Sequence, residues 1–248
     1  MTESYSNVAQ NRAPESVRGV PRPFSNVPYA DFVKAFDAVV GAKPKRSEGE
    51  ERLIRRAEKF CRILVKFPGI RRIRVCNSLS MNAADGDSDI DLFVETAPGM
   101  LWTGRVMTTL FFSVLGVRRH GKYVKGRFCL SFFAAEGANL GKVAVEDDAY
   151  LYEWARRLVS VDGKDSGEEV LENSPLENAL GRNRRPSAFA RAVENLLKAL
   201  FLPKTLREYE RLGKPWGIVI SDEFLKFHPE DRRIEIREEV RSALASVK

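Results

Sequence analysis

Cysteine and histidine are scarce in this chain, and their spacing excludes two kinds of scaffold. Three cysteines, Cys61, Cys76 and Cys129, are scattered through apolar patterns in 248 residues and show no metal-ligand spacing. A disulfide framework is therefore excluded as the basis of the fold, and reduced, buried thiols in a cytoplasmic protein are expected. Two histidines, His120 and His228, are too few and too far apart in sequence for a zinc site, so each is expected at the surface. Long apolar runs are missing too. The most apolar stretch, residues 106–117, is shorter than a bilayer span and contains Ser and Thr, which reads as a buried helix and gives no membrane segment. The N-terminus lacks the apolar core of a signal peptide, and there is no internal repeat.

Charge is missing one sign at a time. Between residues 75 and 104 there is no Lys or Arg, but five acids: Asp85, Asp87, Asp89, Asp91 and Glu95. Between residues 99 and 135 there is no Asp or Glu, but Arg105, Arg118, Arg119, Lys122, Lys125 and Arg127. An acidic strand followed by a basic loop suits a metal-bound polyphosphate, while an ordinary solvated loop is the plain alternative. The net charge of +7 favours polyanionic partners without specifying one.

The acidic stretch contains Ser88-Asp89-Ile90-Asp91-Leu92-Phe93-Val94. On a strand, Asp89 and Asp91 project together while Ile90, Leu92 and Val94 face the core. Paired carboxylates repel, and each favours protonation of the other unless a cation lies between them. Oxygen ligands of this kind suit Mg²⁺, commonly shared with a substrate phosphate. The alternative is a polar strand end with both acids solvated. Upstream, residues 70–75 alternate like a half-buried strand, and residues 78–82 read as the start of a short helix with Ser78 as its N-cap. Backbone N–H groups at such a start donate to an anion. Asp85-Gly86-Asp87 forms the turn into the acidic strand.

This arrangement resembles the nucleotidyltransferase superfamily related to DNA polymerase β, whose signature is Gly-Ser, a spacer, then Asp-x-Asp on a strand. The likeness is close over residues 70–96 and extends in pattern over 48–135. It implies that Asp89 and Asp91 ligate Mg²⁺ and carry the catalysis. It also implies that Asn77, Ser78 and Ser80 lie against the triphosphate of an NTP, ATP foremost, with Arg118, Arg119, Lys122 and Ser131 as further nucleotide contacts. Members transfer a nucleoside monophosphate to a hydroxyl or similar acceptor and release pyrophosphate, a reaction in which metal ions stabilise the attacking and leaving oxygens. RNA such as tRNA, a protein side chain and a small hydroxylated molecule are all acceptors this allows.

The chain departs from the signature at two places. Asn77 stands where the family has Gly, and Asn tolerates left-handed backbone better than other side chains do. The family's third carboxylate belongs on a following strand, here residues 127–133. Alternation puts Arg127, Cys129, Ser131 and Phe133 on one face of that strand, so Ser131 or Cys129 takes the third position. Neither replaces a carboxylate at neutral pH, and Glu95, Glu136 or Asp147 is left as a substitute from elsewhere. A nucleotide-sensing or nucleic-acid-binding protein without turnover is accordingly the second reading, and half of a two-component toxin pair a third.

The fold class expected is α/β (α+β), a nucleotidyltransferase-like mixed sheet flanked by helices and followed by a helical C-terminal region. Residues 1–27 read as a flexible tail, 28–160 as the nucleotidyltransferase-like domain and 161–248 as the helical region. Helices are predicted over 28–40, 48–64, 100–115, 147–158, 168–172, 187–202, 206–212 and 229–247, and Ser47 is the cap of the second. Residues 216–220 are a short apolar exception. Residues 181–185 form the densest basic cluster, suited to nucleic-acid phosphates or simply to solvent.

Overall fold

The strand that follows Asp89 and carries Asp91 is buried along its whole length, so the rest of the molecule must cover it on both faces. The computed structural model describes residues 14–163 and 186–246. It begins with a hairpin of β1 (Ser16–Val17) and β2 (Val20–Pro21). The turn between them takes Gly19 at φ 83°, and a Cβ there would collide with the side chain of Asn139. Next come α1 (Tyr29–Val40), closed by a left-handed Gly41, and α2 (Glu48–Leu64). Ser47 and Glu50 cap each other at the start of α2, and its buried stripe is Ile54, Ala57, Cys61 and Leu64.

The centre of the chain supplies β3 (Ile70–Val75), α3 (Asn77–Ser80), β4 (Ile90–Thr96), α4 (Leu101–Val114), β5 (Phe128–Ala135), α5 (Ala149–Arg156) and β6 (Val159–Ser160). The last part supplies α6 (Ala188–Arg211), β7 (Ile218–Ile220), β8 (Phe224–Phe227) and α7 (Arg233–Ser246). The strands join in one mixed sheet of order β6-β3-β4-β5-β8-β7. Within it, β4 is antiparallel to β3 and parallel to β5, and β8 is antiparallel to β5. The class is therefore mixed α/β with a largely helical C-terminal part, as the sequence implied.

Two apolar layers cover this sheet. On one face Ile90, Leu92 and Val94 pack with Ile54 and Ala57 of α2 and Leu101 and Phe112 of α4. On the other, Phe93 packs with Phe36 of α1, Phe132 of β5 and Trp154 of α5. The Phe93 and Trp154 rings meet edge-on with centroids 5.0 Å apart. The alternation read along residues 90–94 is thus the alternation of the two layers. Among the described residues, no helix is long and apolar enough to cross a membrane.

Several expectations are corrected. Residues 14–27 are not a tail: Val17 and Val20 are fully buried, and Arg18 pairs with Glu95 of β4. Their Pro- and Asn-rich surroundings masked two apolar anchors. The described residues beyond 185 are not helical throughout, because β7 and β8 extend the central sheet along β5. The helices expected over 187–202 and 206–212 are one, α6, which runs through Pro203 on an exposed face where water can satisfy the freed carbonyl. Residues 106–117 are buried on one side only, since Phe112 is enclosed while Val114 is 82% exposed. The expected helix at 168–172 and the basic cluster at 181–185 lie outside the described residues.

α4 begins at Met100 without a side-chain cap of its own. Glu194 of α6 provides one, accepting from the backbone N–H groups of Trp102 at 2.8 Å and Thr103 at 2.7 Å, and from the Thr103 hydroxyl. Glu194 is also the buried residue of α6, so the same carboxylate docks that helix. Glu194→Ala is expected to cost about 2 kcal/mol in urea unfolding, and a loss below about 0.5 kcal/mol would show that the cap is dispensable.

Candidate active site

β3 leads into a turn in which Asn77 has φ 57°, the left-handed position that the sequence assigned to it. The Asn77 side chain is anchored from α5: its Oδ1 accepts from Trp154 Nε1 at 2.9 Å and from the Tyr150 hydroxyl at 3.4 Å. α3 starts one residue earlier than expected, so its cap residue is Cys76 and Ser78 is not the N-cap. Ser80 is turned inward and donates to the Asn77 carbonyl at 2.9 Å. It supports the turn. Ser78 is half-buried on the first turn of α3.

Asp89 immediately precedes β4, and Asp91 is its second residue. Parallel pairing sets Cys129 of β5 opposite Asp91. One potential ligand atom from each of Asp89, Asp91 and Cys129 lies within 4.8 Å of the others. Burial, then the neighbouring Asp89 charge, push the Asp91 carboxyl up to about 6; hydrogen bonds from Cys129 and Asn77 pull the other way. Asp89 is more exposed, and Arg119 Nη1 donates to its Oδ2 at 2.7 Å. Burial works against the charge on Arg119, but Asp89 outweighs it and holds the guanidinium above its ordinary range. Burial and the Asp91 charge push the Cys129 thiol well up, so it stays protonated and donates to Asp91.

The far end of the cluster was not legible from alternation. Asp91 pairs with Cys129 but Phe93 pairs with Phe132, so residues 129–132 contain a bulge. The slip moves Phe132 to the layer of Phe93 and Trp154 and sends Phe133 to the layer of Phe128. The face assigned to Arg127, Cys129, Ser131 and Phe133 is therefore broken after Ser131. Ser131 Oγ lies 3.0 Å from His228 Nε2. His228, expected at the surface, is carried inward by β8; His120 is exposed. Burial, then Lys226, push the His228 ring down to about 4, which leaves it neutral at neutral pH.

None of the three acids considered as a third carboxylate joins the cluster. Glu95 is paired with both Arg18 and Arg74, Glu136 with Arg71 at 3.4 Å, and Asp147 with Arg241 at 3.6 Å. Of the basic loop, Arg119 reaches Asp89 and Arg118 lines a groove that Arg119 also borders. Lys122 is exposed near the Tyr123 ring and stays outside the cluster. No family model, curated protein or solved structure matches the chain.

Because the raised Asp91 carboxyl binds its proton more tightly folded than unfolded, its ionisation subtracts stability as pH rises from about 4 to about 6. Asp91→Asn removes that charge and keeps a polar group beside Cys129 and Asn77. The variant is expected to be more stable than the natural protein at pH 7.5, by up to about 3 kcal/mol at 1.36 kcal/mol per pH unit, and to lose the advantage near pH 4. Thermal unfolding of both proteins across that range checks this; a variant less stable at pH 7.5 would contradict it.

Proposed function

We propose that the protein is a Mg²⁺-dependent nucleotidyltransferase that moves a nucleoside monophosphate from an NTP, ATP foremost, to an acceptor hydroxyl. The observation that carries this reading is Asp89 and Asp91 held together beside the left-handed Asn77 turn and the start of α3. The donors suit a hard cation, because two carboxylate oxygens converge where the Asp91 charge is otherwise opposed by Asp89. In this reading Asp89 and Asp91 hold Mg²⁺, which when bound supplies charge stabilisation to the transferring phosphoryl group. Ser78 and the backbone of α3 would orient the phosphates, and Arg119, which pairs with Asp89, would be the guanidinium nearest the pair to contact them. RNA such as tRNA is one acceptor that the net charge of +7 favours. Three free cysteines suit a cytoplasmic setting.

One observation favours a second reading, an NTP-binding protein without turnover. The residue opposite Asp91 is Cys129, whose protonated thiol is a poor ligand for a hard metal and a poor proton acceptor. Calorimetry with each NTP, with and without Mg²⁺, tests both readings on the natural protein and on Asp89→Asn/Asp91→Asn. Metal-dependent binding weakened by on the order of a hundredfold in the double variant, about 3 kcal/mol, is expected. Pyrophosphate release on adding acceptors, beginning with tRNA, supports transfer; NTP binding with no release from any acceptor supports the second reading. Failure to bind any NTP would contradict both.

A further inference from the structure

β8 pairs with residues 132–134 of β5 and goes no further, so residues 129–131 border a groove where the sheet opens. α4 and α6 wall this groove, which encloses about 780 Å³. That volume is in the range that holds a small ligand, roughly 300–1,000 Å³. Its charge is one-sided. Arg105, Arg118, Arg119 and Lys204 line it, and Glu208 is the one acid among the described lining residues. Glu208 is already answered by Arg211 at 2.5 Å.

Arg105 of α4 is the half-buried cation of the groove that has no carboxylate partner among the described residues. Its guanidinium carbon lies 3.9 Å from the centroid of the Phe227 ring and 5.9 Å from that of Phe133. Among the described residues no carboxylate pairs with it, and its Nη1 is shut off from solvent with no hydrogen-bond partner. Burial, then the nearby Arg118 charge, pull its pKa down to about 10, so it remains charged at neutral pH. Stacking on an aromatic ring offsets only part of the cost of holding an unpaired charge away from water. The difference favours an anion that supplies the missing acceptors. A guanidinium presents a planar fork of donors matched to phosphate oxygens.

We propose that this groove is a phosphate-binding subsite centred on Arg105, which takes a phosphoryl group of a small phosphorylated ligand beside the Asp89–Asp91 pair. Arg119 connects the two places, since it lines the groove and donates to Asp89. Assigning the phosphate to a transfer reaction rests on the nucleotidyltransferase reading; the affinity for the anion does not. Two sources share the chemistry, the polyphosphate tail of the NTP and a phosphate on the acceptor.

Inorganic pyrophosphate, titrated calorimetrically into the full chain without metal, is the probe. Its binding is expected to persist in Asp89→Asn/Asp91→Asn and to weaken at least about tenfold in Arg105→Met, which keeps a long apolar stem and removes the charge. The Tm of Arg105→Met is expected to hold or rise, as a half-buried charge without an ion-pair partner is lost. Pyrophosphate binding that is absent, unaffected by Arg105→Met, or abolished by the double Asp variant would overturn the proposal. A second readout needs no substitution: the Arg105 Nε–Hε NMR resonance of the natural protein shifts with pyrophosphate, and a stationary resonance would equally overturn it. Competition between Mg²⁺·ATP and pyrophosphate assigns the subsite to the NTP tail, and simultaneous binding assigns it to the acceptor; either outcome upholds a phosphate subsite. Failure of NTP to bind while pyrophosphate binding survives would contradict the transfer reading alone.

Discussion

The repulsion between Asp89 and Asp91 in a place nearly closed to water is the interaction around which the site is organised. Asp91 is buried because β4 is central in the sheet and α5 packs over its face through Trp154 and Tyr150. That burial, together with Asp89, makes the Asp91 charge unfavourable, and the protein offsets it only in part, with a thiol, an amide and a single arginine on the more exposed partner. A fold selected for stability alone has little reason to keep this arrangement. A cation between the carboxylates converts the repulsion into two attractions.

The same strand face shows the contrasting case. Glu95 lies four residues beyond Asp91, points to the same side and is as deeply buried. Burial opposes its charge, but Arg18 from the β1–β2 hairpin and Arg74 from β3 flank it and hold its carboxyl below the ordinary range. Glu95 is thus a closed structural ion pair that ties the N-terminal hairpin to the sheet, while Asp91 is left open. Two acids on one strand are driven in opposite directions by what packs against them, and that divergence separates scaffold from site. Arg105 mirrors the distinction among the cations, because Arg74 has its carboxylate and Arg105 has only aromatic rings.

What could be read from the sequence was what depends on neighbours along the chain. The alternation of Ile90, Leu92 and Val94 sets the two faces of β4, the Ser47–Glu50 box starts α2, and an asparagine before Ser78 takes left-handed backbone. Asp89 and Asp91 were visible for the same reason, since their spacing on a strand brings them together. What depends on pairing between distant segments was hidden. The bulge at residues 129–132 is a property of the β4–β5 register, and it changed which β5 side chains share a face. His228 meets Ser131 across 97 residues only because β8 joins the sheet beside β5. The burial of Val17 and Val20 likewise needs the α5 surface they pack on, and no local pattern of two apolar residues among Pro and Gly announces it.

The central claim is that Asp89 and Asp91 together hold a cation that engages a nucleotide. Crystals grown with Mn²⁺ and a non-hydrolysable NTP test it directly, because anomalous scattering distinguishes the metal from water and lighter ions. The expected result is a Mn²⁺ peak ligated by carboxylate oxygens of both Asp89 and Asp91, with Arg119 moved off Asp89 and onto the phosphates. A nucleotide bound with the Arg119–Asp89 pair intact and no metal between the two aspartates would contradict the account.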